Sequence, residues 1–150
     1  MRKLLVVAII LSTQTAFAWT NPDFRIANKN IEISLADDVT DGCWTNLGEV
    51  RRYAGDKLSN AGANVMKEVI GLMHPDNNNY WFNVDVIGYR LNNGVCIGSI
   101  TTSLSSGAML SGDFHFAFVH TTNLLVSSSS GSNLNNQVLS MVGNSIREFD

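Results

Sequence analysis

The stretch from Tyr80 to Leu104, YWFNVDVIGYRLNNGVCIGSITTSL, constrains the fold more than any other part of the chain. Phe82, Val84 and Val86 alternate with Asn83 and Asp85, the period of two that marks a strand with one buried face. Asn92-Asn93-Gly94 separates this strand, residues 80–91, from a second over 95–104. A three-residue loop with its glycine in the left-handed region is a favoured hairpin connection, and it pairs Leu91 with Val95. Val86 then faces Ile100, Val84 faces Thr102 and Phe82 faces Leu104. A two-residue loop would set Val86 beside Ser99 or Thr101 and mix apolar with polar positions, so burial selects the three-residue loop. The register puts Cys96 on the core face and Gly88 opposite Gly98, where two absent side chains leave room for a helix to come close.

The other face of the same hairpin carries Asn83, Asp85, Ser99, Thr101 and Ser103 at one end, as solvent requires. Towards the turn it becomes apolar: Ile87 lies across from Ser99, Tyr89 from Ile97 and Leu91 from Val95. Single exposed apolar residues are ordinary, but a contiguous cluster marks a contact. Two occupants fit. Either the N-terminal arm, with Trp19, Phe24 and Ile26, folds over the patch, or the patch docks another protein or a second copy of the chain. Trp81 shares this face, as a binding platform or as a sheet-edge residue.

The chain opens MRKLLVVAIILSTQTAFA. A basic pair, an apolar run over residues 4–11 and the small-x-small Ala16-Phe17-Ala18 make the pattern of a secretory signal peptide cleaved after Ala18. The run is too short to span a bilayer, and no later stretch is long and apolar enough to do so. The expected mature chain, from Trp19, has 132 residues (150 less 18), the size of a single domain. Loss of Arg2 and Lys3 leaves 8 basic and 13 acidic side chains, a net charge of −5. That balance makes a poor ligand for nucleic acid or an anionic membrane. The location expected is periplasmic or secreted.

Two cysteines remain, Cys43 and Cys96. In an exported chain an even pair reads as one disulfide. Neither lies in a CxxC, and two cysteines without nearby histidines make a poor zinc site. The bond ties the start of a helix to the sheet, with Trp44 expected to pack over it. That helix starts at Asn46, with Asn46 and Glu49 as a capping box. Leu47, Val50, Ala54, Leu58 and Ala61 form its apolar stripe, and Gly62 ends it.

The remaining elements follow from shorter signals. Residues 19–30 read as an extended arm, IEISL (31–35) as a half-buried strand and ADDVTDG (36–42) as a turn. Asp37, Asp38 and Asp41 do not make a helix-loop-helix calcium loop, because Val39 and Gly48 stand where ligands are needed. Residues 64–73 fit a helix by spacing and a strand by context; the strand is preferred. HPDNNN (74–79) and SSGAMLSGD (105–113) read as turns, FHFAFVHTTNLLV (114–126) as a strand with Phe114, Phe116 and Phe118 on one face, and SSSSGS (127–132) as a flexible connector. Leu134, Val138, Met141, Val142, Ile146 and Phe149 mark a final amphipathic helix.

The fold expected is α+β: one domain, an antiparallel sheet of about four strands, two helices on one face, order β-α-β-β-β-α. That order resembles small envelope domains such as those of lipopolysaccharide-assembly lipoproteins and transport-associated auxiliary lipoproteins. The resemblance is one of topology, carried by no motif, and this chain has no cysteine for lipid attachment after the leader.

No catalytic constellation stands out. The serines lie in no Gly-x-Ser-x-Gly elbow and no glycine-rich phosphate loop precedes a helix. His74 sits in a turn, and a straight strand would point His115 and His120 to opposite faces. No metal and no cofactor are expected. The reading is an exported, non-catalytic domain that binds an envelope protein or itself. The alternative is a small secreted hydrolase or ligand-binding protein whose site is assembled from distant residues.

Overall fold

The computed structural model describes residues 24–67, 78–111 and 113–149. The elements are β1 (Asn30–Val39), α1 (Leu47–Asn60), β2 (Asn64–Met66), β3 (Asn79–Arg90), β4 (Cys96–Leu110), β5 (Asp113–Ser127) and α2 (Asn135–Arg147). The described strands make one five-stranded sheet in the order β2-β1-β3-β4-β5. The α+β class holds, with a longer order, β-α-β-β-β-β-α, and a mixed sheet in place of a wholly antiparallel one. β1 runs parallel to both β2 and β3. For β2 the reason is α1, which carries the chain back to the end of the sheet where β1 began, as a crossover helix does.

The hairpin forms in the register that burial selects. Val86 pairs with Ile100, Val84 with Thr102 and Phe82 with Leu104. The Leu91 N–H donates to the Val95 carbonyl (2.8 Å), and Gly94 has φ +82°. Phe82, Val84, Val86, Ile100 and Leu104 are fully buried, in one cluster with Val50, Ala54 and Leu58 of α1 and Val138, Val142 and Ile146 of α2. Both helices therefore lie on one face. The facing glycines serve a different purpose from the one expected. A Cβ on Gly88 would meet the Ile97 carbonyl at 2.8 Å, so the space is filled by the opposite strand and not by a helix.

Several boundaries move. β1 continues to Val39, because β3 offers it partners along that whole length, and the turn narrows to Asp41 and Gly42, both at positive φ. Residues 105–110, read as a turn, belong to β4, and Asp113 belongs to β5, which otherwise begins where the strand was expected. Past Trp81, where β3 ceases to pair with β4, strands β4 and β5 run on as a ribbon. Ser105-Ser106-Gly107 has loop-like composition, but pairing with Phe118, Ala117 and Phe116 overrides it. β2 is three residues; positions 68–77, including His74 and most of the 74–79 turn, lie outside the described residues. The described part of the arm turns at Asn28 (φ 62°) and enters β1.

At the helix ends, Gly62 sits at φ +85° with Ala63 N–H on the Leu58 carbonyl and Gly62 N–H on the Ser59 carbonyl, a Schellman closure. The capping box does not form. The Asn46 side chain accepts from the Trp44 indole (2.9 Å) and donates to Glu49 (2.9 Å), so its oxygen is committed elsewhere.

Cys43 and Cys96 are joined, with Cα atoms 5.6 Å apart. The bond packs with Leu134, flanked by Val39 and Val126, whereas Trp44 belongs to the main core. The 127–132 connector is pinned, not loose. Ser128 Oγ accepts from Cys96 N–H, Ser130 Oγ donates to the Asn93 carbonyl, and Gly131 N–H donates to the Gly94 carbonyl. Arg90 gathers the same corner by donating to the carbonyls of Asp41, Gly94 and Ser132. Serines that bond to nearby backbone order a segment whose composition reads as a linker.

Candidate functional site

The helices cover one face of the sheet. The other face carries, from β3, Trp81, Asn83, Asp85, Ile87 and Tyr89, and from β4 their partners Ser105, Ser103, Thr101, Ser99 and Ile97. β5 adds Thr121, Asn123 and Leu125 opposite Ser103, Thr101 and Ser99. No helix lies over these positions among the described residues.

At the hairpin end the surface is apolar. Ile87 is 57% exposed, Tyr89 52% and Leu125 82%. Leu91 is exposed as well, while Val95 and Ile97 are half-buried. Ile87, Tyr89, Ile97 and Leu125 wall a shallow groove of about 400 Å³ floored by the Gly88–Gly98 backbones. Phe24 and Ile26 do not cover it. Phe24 packs edge-on against Tyr80 and Phe149, and Ile26 is buried in the core between the helices and the sheet. Trp19 lies outside the described residues.

At the ribbon end the same face is polar and aromatic. Trp81, half-buried, meets Phe116 edge-on with ring centroids 5.3 Å apart. Phe116 and Phe118 are exposed. With Asn83, Asp85, Ser103 and Ser105 they bound a hollow of about 410 Å³. The Asn83 amide donates to Ser103 Oγ (3.3 Å), and burial pushes the Asp85 carboxyl above the usual carboxylate range.

Two of these residues escaped periodicity. β5 has a bulge: Leu104 pairs with His120 and Ser105 with Phe118, leaving Val119 as an extra residue. The bulge reverses the alternation before it, which delivers Phe116 and Phe118 to the uncovered face. It also overturns the straight-strand argument for the histidines. His115 pairs with Ala108 and His120 with Leu104, positions of the same parity on β4. His120 is nearly buried on the helix side, with Nε2 2.7 Å from Glu148 Oε2 and 2.7 Å from Thr122 Oγ1, whereas His115 is exposed on the ribbon. Leu125 was within reach of sequence reasoning, through the register of β5 on Ser99.

Among the described residues no three His, Cys, Asp or Glu side chains are grouped as metal ligands would be, and no helix is long and apolar enough to cross a membrane. The disulfide fits an oxidising compartment.

The sequence matches no protein-family model and no curated protein. Among solved structures, the fold is similar to the PelC dodecamer from Paraburkholderia phytofirmans, with TM-score 0.55 and 16% identity over 88% of this chain and 94% of that one. A single-residue variant of the same dodecamer gives TM-score 0.52 and 17% identity over 85% and 92%. At such identities the likeness is one of fold.

Proposed function

We propose that this chain is an exported, non-catalytic protein that assembles with copies of itself through the uncovered sheet face. The observation that carries the reading is the contiguous patch of Ile87, Tyr89, Leu91 and Leu125, exposed on a sheet whose other face is covered by both helices over β3 and the adjoining part of β4. Area supports it. Five strands ~4.8 Å apart and a ten- to twelve-residue length give a face of about 800 Å², what one partner contributes to a standard interface. The fold is shared with a protein that forms a dodecamer, and the disulfide and N-terminal leader agree with a periplasmic location after cleavage at Ala18.

The test is native mass spectrometry of protein recovered from the periplasm, wild type beside a Tyr89→Asp, Ile97→Asp double variant. The expected subunit begins at Trp19 and the wild type is an oligomer. The double variant stays folded and drops to a smaller species. A folded wild type that is monomeric at micromolar concentration overturns the reading, and a complex with a second envelope protein redirects the patch to that partner. The hollow at Trp81 supports a second reading, capture of a small ligand, which a molecule released on denaturing the same preparation would bring forward.

A further inference from the structure

We propose that the open edge of β5 pairs, antiparallel and across a two-fold axis, with β5 of a second copy of this chain, so that the sheet continues from one copy into the next. The inference rests on the self-assembly reading above and names a second contact, made by backbone groups at the sheet edge, that shares Leu125 with the apolar patch.

The direction of each backbone group follows from the ladder. Leu91 N–H donates to the Val95 carbonyl, so the β4 residues two, four and six positions on from Val95 turn their backbone groups towards β3. The intervening residues turn towards β5, as the bond from Ser128 N–H to the Cys96 carbonyl (2.8 Å) shows. Thr122, Leu124 and Val126, in register with Thr102, Ile100 and Gly98, are therefore the residues that hold β5 to β4. Thr121, Asn123 and Leu125 aim their N–H and C=O groups the other way. β5 ends the sheet, and among the described residues no hydrogen bond reaches those groups. The window is bounded by the bulge at Val119 on one side and by Gln137 Nε2 on the Ser127 carbonyl (3.2 Å) on the other.

An edge of this kind pairs unless something prevents it. Native sheets guard edges with lysine, proline or very short strands. The β2 edge is three residues long. The β5 window, TTNLLV, has no proline, no glycine and no charge, so two copies can approach without repulsion. Its apolar side chains are left in water: Leu124 is 46% exposed and lies beside Leu125, the most exposed large apolar residue described. With the axis at Asn123, that residue meets the partner subunit's Asn123, and Thr121 meets the partner subunit's Leu125. All the outward N–H and C=O groups of the three residues are then satisfied.

Two variants test the contact. Asn123→Pro deletes an outward N–H and leaves the ladder to β4 intact, because the Asn123 N–H does not face β4. Asn123→Cys places a thiol at the axis. Expected are a folded proline variant that loses the β5-linked dimer by native mass spectrometry, and a cysteine variant that gives a covalent dimer without reductant. A folded proline variant that keeps the wild-type mass, or a cysteine variant that stays uncrosslinked, overturns the proposal; if the proline variant fails to fold, the cysteine variant decides. Tyr89→Asp separates the two contacts. Crosslinking with no effect of Tyr89→Asp keeps the edge and removes the face, and the converse keeps the face and removes the edge.

Discussion

Removing the disulfide is the perturbation whose magnitude the structure fixes most directly. Cys43 and Cys96 are 53 positions apart and both fully buried. Closing a loop of that length in the unfolded chain is worth ~4 kcal/mol on the chain-entropy account. Replacing both cysteines with alanine adds a small cavity against Leu134, of order 1 kcal/mol. Each kcal/mol lowers the melting temperature of a domain this size by roughly 3–5 °C, so the double variant should melt roughly 15–25 °C lower. Urea denaturation at matched temperature, with thiol labelling of the wild type to verify that no sulfhydryl reacts before reduction, measures the difference. A loss below ~1 kcal/mol would refute the reasoning. It would mean that the bonds already tying this corner together, Arg90 to three carbonyls and Leu134 N–H to the Cys43 carbonyl (2.7 Å), hold the loop closed in the ensemble the disulfide is supposed to restrict.

The glycines and one carboxylate give further expectations. Gly98→Ala drives a Cβ into the Ile87 carbonyl and to 3.0 Å from the Gly88 Cα, both backbone, so urea denaturation should show a loss of more than ~2 kcal/mol. Gly143→Ala instead meets the Tyr53 hydroxyl at 2.6 Å, the far end of a side chain that can swing away, and gains ~1 kcal/mol of helix propensity; its net change should lie within ~1 kcal/mol of zero. Asp85→Asn should be the more stable protein near neutral pH, by less than ~1 kcal/mol because the carboxylate is partly solvated. The sign follows from burial, which raises the folded-state pKa: the ionised acid costs stability above that pKa, and the cost disappears as pH falls through it and the group is protonated in both states. A difference that grows on acidification would contradict this.

The parts of the fold that were legible are those where two independent signals coincide. In the β3–β4 hairpin the loop geometry at Gly94 and the alternation of Phe82, Val84 and Val86 demand the same register, and that register forms. In α2 the spacing of Val138, Val142 and Ile146 needs no partner to be read, and all three are buried. Strand direction has no local signature. IEISL alternates identically whether its neighbour runs parallel or antiparallel, and for β2 it is the return path through α1 that decides it. Composition misled where polar residues bond backbone. Ser105-Ser106-Gly107 and the 127–132 serines look alike as loops, yet one is strand by pairing and the other is ordered by Ser128 and Ser130.

The candidate surface divides along the same line. Its apolar half is built from residues on either side of one tight turn, where register propagates over a few rungs and no irregularity intervenes. Its aromatic half depends on Val119. Counting back from Leu125, which is on the uncovered face, strict alternation puts Asn123 and Thr121 on that face and sends Phe118 and Phe116 to the helix side. The helix side has little to offer them there. α2 ends at Arg147, and the space beyond the sheet is closed by His120, whose ring lies edge-on to Phe149 at 5.2 Å. One extra residue in β5 turns both phenylalanines over, where Phe116 finds the Trp81 ring. A bulge costs a rung of the ladder and gains that contact. Allotting one residue to each rung therefore assigns this half of the surface to the wrong side, because what decides the matter is packing between strands that the sequence separates by more than thirty residues.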